Sequence, residues 1–183
     1  MQYSRLDCKW GIPEKSIILL GPTTTKDTAM KEKKTSTIMH RVIDAWIDID
    51  GQPEEVWEAL VDFKSWEKWN SFIPMVEGNL KEGERLRIKV VSPGLKPMIF
   101  KPEVYELIPG KKIVWGGSFL KVIYRGDHSF IIEGTLDGKS RFRQIENFRG
   151  PMVLFMGNMI KKTELGYHQM NLALKDRVEK TDR

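Results

Sequence analysis

Two strand-like segments that run straight into one long helical pattern constrain this chain more than any other feature. Residues 127–133 and 141–148 read as a strand pair, and the helical pattern begins at Gly150-Pro151. It places Met152, Met156, Met159, Thr163, Tyr167, Met170 and Leu174 on one stripe, in steps of three or four residues. A helix of about 30 residues is about 45 Å long, enough to cross a whole sheet. Such a stripe must be buried against another layer. Methionine is flexible and polarizable, so a Met-rich face suits a wall that re-packs around something. Ordinary core packing accounts for the same stripe.

The segments upstream supply the sheet. Ile43, Ala45, Ile47 and Ile49 alternate with Asp44, Trp46, Asp48 and Asp50, the pattern of a half-buried strand. Pro53 suits a first helical position, and Glu54 and Glu55 complement the positive end of the helix. Val56, Trp57, Leu60 and Val61 form the buried face of that helix, and a second short helix or turn covers 65–70. Strands are expected near 75–80, 84–92, 97–108, 111–118, 122–135 and 139–149, separated by Gly- and Pro-containing turns. Hairpin connections make the sheet antiparallel. The expected fold is α+β: a curved antiparallel sheet of six or seven strands wrapped around one long C-terminal helix, with two short helices after the first strand. A cavity can open between sheet and helix.

Charge and composition narrow the classes of function. The chain has 183 residues, enough for one well-buried domain. Residues 1–37 keep neither period and read as a flexible tail, leaving 38–183 as the single domain. Of the net charge of +5, the tail carries +3 (7 Lys/Arg against 4 Asp/Glu) and the domain +2 (23 against 21). No basic stripe follows from so even a mixture, so no nucleic-acid partner is expected. The lone Cys8 excludes an intrachain disulfide and a zinc site on paired cysteines. His40, His128 and His168 lack metal-ligand spacing, and neither metal nor cofactor is expected. Ile17–Leu20 is too short for a signal core and no run approaches about 18–20 apolar residues. Stable membrane insertion is therefore not expected, and a cytoplasmic location is. The sequence is silent on oligomeric state.

Four motifs carry a family resemblance. They are Gln52-Pro53-Glu54-Glu55-Val56-Trp57-Glu58-Ala59-Leu60 with Asp62, Trp66-Glu67-Lys68-Trp69-Asn70-Ser71-Phe72-Ile73, Leu107-Ile108-Pro109-Gly110-Lys111-Lys112-Ile113-Val114-Trp115, and His128-Ser129-Phe130 followed by residues 141–150. Together they resemble the START/SRPBCC superfamily, in its polyketide cyclase/dehydrase-like branch, over about residues 38–180. The resemblance implies the helix-grip fold. Ser71 stands where relatives often carry proline, which should loosen the turn after Trp69.

Period 2 selects the candidate site. His128, Phe130 and Ile132 share one strand face; Phe142, Gln144, Glu146 and Phe148 share the next. The large apolar groups turn these faces inward and carry His128, Gln144 and Glu146 with them. A carboxylate and an imidazole on an apolar wall are costly unless paired or wet. A ligand cavity would satisfy them, and so would pairing of Glu146 with Arg41 or another rim cation. The expected lining is Trp69, Phe72, Trp115, His128, Phe130, Phe142, Gln144, Glu146, Met156, Met159 and Tyr167, with Trp66 and Trp69 as a possible lid. Gly157 and Gly166 inside the helix signal close approach, vacant space or a tolerated kink. Gly116-Gly117 reads as a bulge or bend in the sheet.

The leading expectation is a binding module for a small hydrophobic molecule: a lipid, an isoprenoid or an aromatic, polyketide-like compound. One alternative is a cyclase/aromatase-like enzyme in which His128 or Glu146 acts as general acid or base. Another is a protein-interaction module like the Hsp90-activator homologues. An apolar tunnel favours binding, convergence of His128 and Glu146 favours the enzyme, and a cavity too small for a ligand favours the interaction module.

Overall fold

Local rules build the first layer of the computed structural model, which describes residues 39–181. The expected flexible tail, residues 1–37, lies outside the described residues. Strand β1 (His40–Ile49) buries Ile43, Ala45 and Ile49 and exposes the aspartates between them. The Gln52 N–H donates to the Glu55 carboxylate at 2.6 Å, and Pro53 opens helix α1 (Pro53–Val61). A single 3-10 turn (Phe63–Ser65) leads into α2 (Trp66–Trp69). Asn70 Oδ1 then accepts from the N–H groups of Phe72 and Ile73 at 3.2 and 2.9 Å. The turn is thus held even with Ser71 in place of proline.

Seven further strands follow: β2 (Met75–Glu77), β3 (Arg87–Val90), β4 (Met98–Phe100), β5 (Glu103–Ile108), β6 (Lys112–Phe119), β7 (Tyr124–Gly134) and β8 (Ser140–Arg149). All pair antiparallel, in ladders of order β1-β8-β7-β6-β5 and β2-β3-β4. The strand expected over 97–108 is therefore two strands in two ladders. Lys101-Pro102 breaks it, because proline has no N–H to offer a ladder. The ladders are stitched together at that break. The Leu86 N–H donates to the Pro102 carbonyl and the Val104 N–H to the Glu84 carbonyl, each at 2.9 Å. Among the described residues the curved antiparallel wall thus has eight strands, where six or seven were expected. Gly116-Gly117 is not a bulge: β6 pairs with β7 in unbroken register, and the irregularity lies between Val104 and Glu106 on β5.

The long helix begins later than its pattern suggests. Gly150, at φ 111°, turns the chain into a 3-10 segment (Pro151–Phe155), and α3 runs from Gly157 to Thr181. Its 25 residues span about 37 Å. Met156, Tyr167, Met170 and Leu174 are buried and Met152, Met159 and Thr163 partly so, which is the expected stripe. Gly166 marks a close approach, since a Cβ there would overlap the Phe72 ring. Gly157 faces open space.

One end of the space between wall and helix is solid. Trp66, fully buried, donates from Nε1 to the Leu60 carbonyl at 3.0 Å and packs edge-on against Phe63, Trp69 and Phe130. Phe130, Phe142, Met170 and Leu174 fill the layer beside it. Trp66 is therefore core, not a lid. The other end is open.

Candidate functional site

The open end holds a cavity of about 500 Å³ between the sheet, the segment before α3 and the first half of α3. That volume lies in the range of small-molecule pockets. Ile73, Ile88, Val90, Phe148, Met152 and Met159 give it apolar walls. Polar groups converge on one side, from β7, β8 and α3.

Strand alternation and the helix stripe put these groups in register. His128 on β7 sits opposite Glu146 on β8, and Phe130 opposite Gln144. Tyr167 comes down from α3 between them. Gln144 Nε2 donates to Asn171 Oδ1 at 2.6 Å and lies 3.4 Å from the Tyr167 carbonyl, so its Oε1 faces His128. His128 Nε2, 3.1 Å from that oxygen, therefore carries the ring proton. Nδ1 is left with a lone pair, 3.5 Å from the Tyr167 hydroxyl. The same hydroxyl lies 2.8 Å from Glu146 Oε2.

Burial sets the charge states. It pushes the Glu146 carboxyl up to about 8; the Tyr167 hydrogen bond opposes this and the Asp127 charge adds to it. It pushes the His128 imidazole down to about 3, against the hydrogen bond that His128 donates to Gln144 Oε1. At neutral pH the carboxyl is mostly protonated and the imidazole uncharged. The 3.6 Å approach of His128 Nδ1 to Glu146 Oε2 is thus a contact between neutral groups rather than an ion pair. The Tyr167 hydroxyl donates to Glu146 Oε2, while His128 donates to Gln144 and Gln144 to Asn171. His128 and Glu146 converge, but through the Tyr167 hydroxyl.

The structure brings together Phe72, Trp115, His128, Glu146, Met156, Met159 and Tyr167 of the expected lining. It does not bring Phe130, Phe142, Gln144 or Trp69 to the cavity. Phe130, Phe142 and Gln144 point inward as period 2 requires, but where α3 closes on the sheet an inward side chain meets core instead of space. Trp69 packs its ring against Trp66 and lines a surface depression with Lys68 and Arg177 instead. Glu146 finds its partner in Tyr167, and Arg41 sits on β1 opposite Phe148.

Of the lining residues that the sequence reading did not name as lining, three bear on the polar side. Tyr124 and Gly126 lie on the same face of β7 as His128, so extending period 2 by four residues would have found them. A Cβ on Gly126 would stand 2.6 Å from Tyr124 Oη and 3.0 Å from Glu146 Oε1, so glycine keeps room for both. Burial and the Glu146 charge hold the Tyr124 hydroxyl well above its ordinary range. Ser92 had no sequence signal. It is buried, its Oγ has no hydrogen-bond partner among the described residues, and it lines the cavity. Among the described residues no group of three or more His, Cys, Asp or Glu could hold a metal ion.

The model of a family described as polyketide cyclase / dehydrase and lipid transport matches residues 40–179. Among solved structures, the chain is similar to the Zhui aromatase/cyclase from Streptomyces sp. R1128, with TM-score 0.64, 16% identity and coverage of 79% of this chain and 96% of that one. Protein MLL2253 from Mesorhizobium loti gives TM-score 0.60 and 18% identity over 78% of this chain and 100% of that one. Ara h 8.0201 gives TM-score 0.58 and 14% identity over 77% and 99%. These likenesses establish the helix-grip fold. A search of curated proteins returned no match.

Proposed function

The chain belongs to the polyketide cyclase / dehydrase and lipid transport family, and on that premise we propose that it binds a small, mostly apolar molecule carrying an uncharged oxygen function. One observation carries this reading: an apolar cavity of about 500 Å³ with a neutral carboxyl, a hydroxyl and an imidazole on one side. Burial of apolar ligand surface supplies affinity at roughly 25 cal/mol per Å² before ordering costs. The polar side orients the ligand. A protonated Glu146 can donate to a carbonyl or hydroxyl oxygen, and the unpartnered Ser92 hydroxyl offers a second contact.

The Tyr167-bridged contact of Glu146 with His128 favours one second reading, a cyclase-like enzyme. A carboxyl with a pKa of about 8 can give and take protons near neutrality, and a cavity of this size can hold a reactive chain in a bent conformation. Native mass spectrometry of protein purified from its own host tests the binding reading. A co-purifying apolar molecule, lost in Glu146→Gln or Ser92→Ala, is expected. A clean apo spectrum, with no uptake from a panel of apolar ketones and alcohols, would contradict it. Chemical conversion of a bound ketone chain by wild type but not by Glu146→Gln would establish the enzyme.

A further inference from the structure

We propose that the rim of the cavity is a docking face for an anionic lipid bilayer, held by apolar tips and a ring of lysines. Three segments form this rim: residues 91–102, 117–124 and 150–163. Each contributes side chains to the cavity lining, among them Ser92, Phe119 and Met152. Hydrogen bonding and proximity hold the segments together. The Met152 N–H donates to the Ile123 carbonyl at 3.2 Å, and Gly94 sits against the Lys162 ammonium.

The rim is chemically unlike the rest of the domain. Its three segments carry Lys96, Lys101, Lys121, Lys161 and Lys162 and no Asp or Glu. The remainder of residues 38–183 holds 18 Lys/Arg against 21 Asp/Glu. The small positive charge of the domain is therefore concentrated at the mouth, and the body behind it is net negative. Among the described residues none of these five lysines forms an ion pair. Between the lysines stand exposed apolar side chains. Phe155 is 88% exposed, Val122 80% and Leu120 63%; Phe119, Leu154 and Ile99 are about half exposed. Leu120 and Lys121 hold φ of 46° and 38°, so the β6–β7 hairpin tip is bent to present them outward.

This combination selects the occupant. The apolar groups stand on separate projecting tips rather than lining a groove, so they can sink below headgroups while the lysines stay at the anionic surface. Each lysine near such a surface adds attraction that salt weakens. A cavity mouth on that face lets an apolar ligand pass between bilayer and protein without crossing water. Among the described residues no helix is long and apolar enough to cross a membrane, so the association is peripheral and reversible.

Flotation of the full chain with 100-nm vesicles tests this, comparing phosphatidylcholine alone with vesicles containing about 30% phosphatidylserine. Wild type is expected to float with the anionic vesicles at low salt, and far less with neutral vesicles or at high salt. The pair Val122→Glu/Phe155→Glu, and separately Lys121→Glu/Lys161→Glu, should each cut partitioning about tenfold or more. These sites are exposed, so thermal midpoints should stay at the wild-type value. Leu172→Glu, exposed on α3 away from the cavity, should float like wild type. Failure to float with anionic vesicles overturns the proposal, as does unchanged flotation of the Val122/Phe155 pair. Retention on immobilised polyglutamate without vesicle binding would also overturn it and point to an acidic protein partner. Apolar-probe affinity in solution, measured on the same variants, reports the cavity separately from the rim.

Discussion

A carboxyl held near pH 8 beside an imidazole held near pH 3 makes stability depend on pH in two opposite directions. The folded pKa of Glu146 is raised, so its contribution is present below the unfolded value of about 4.5 and is lost as pH rises toward 8. That of His128 is depressed, so its contribution is present above about 6.5 and is lost as pH falls toward 3. Between 4.5 and 6.5 the two slopes offset each other. The thermal midpoint should therefore decline from pH 6.5 to 8.5, and Glu146→Gln, which cannot ionise, should flatten that decline. A wild-type midpoint that rises over this interval would show that Glu146 is charged in the fold. Tyr167→Phe removes the bridging hydroxyl and leaves a buried carboxyl without its donor. It should destabilise by about 1–3 kcal/mol, measured by denaturant unfolding at pH 7.

Two glycines of nearly the same sequence appearance play opposite parts in α3. Gly166→Ala should lose about 1–3 kcal/mol, because the new methyl group overlaps the Phe72 ring and outweighs the gain in helix propensity. Gly157→Ala meets open space and should be neutral or gain up to about 1 kcal/mol. Equal effects at the two sites in urea unfolding would contradict the packing described. Leu174→Asp places a charge at a fully buried position of the stripe and should cost more than about 4 kcal/mol. Helix phase and strand faces were legible in the sequence because periods 3.6 and 2 respond to burial alone. Breaks were harder to read. The stretch 97–108 looks like one strand, and only the missing N–H of Pro102 marks where the chain changes ladders. The late start of α3 depends on the backbone turn at Gly150, which periodicity does not register.

For the molecule as a whole, the difference between a wall of core and a wall of cavity is a matter of where α3 leaves the sheet. Phe130 and Phe148 both face inward on neighbouring strands, yet only Phe148 borders empty space. Both environments demand inward apolar residues, so the sequence pattern is the same for each. Only the helix path, set in part by Gly166 against Phe72, separates them. Met-rich composition was the one sequence hint, and it does fall on the open end, at Met152, Met156 and Met159. Met159→Trp therefore tests the account most directly, by titration with an apolar fluorescent probe and an unfolding midpoint on the same sample. The account predicts that wild type binds the probe. It also predicts that the variant binds about tenfold more weakly or worse with under about 1 kcal/mol of stability lost, because the ring enters space that already exists. No probe binding by wild type, together with a loss of about 1–3 kcal/mol in the variant, would mean a filled core and would contradict it.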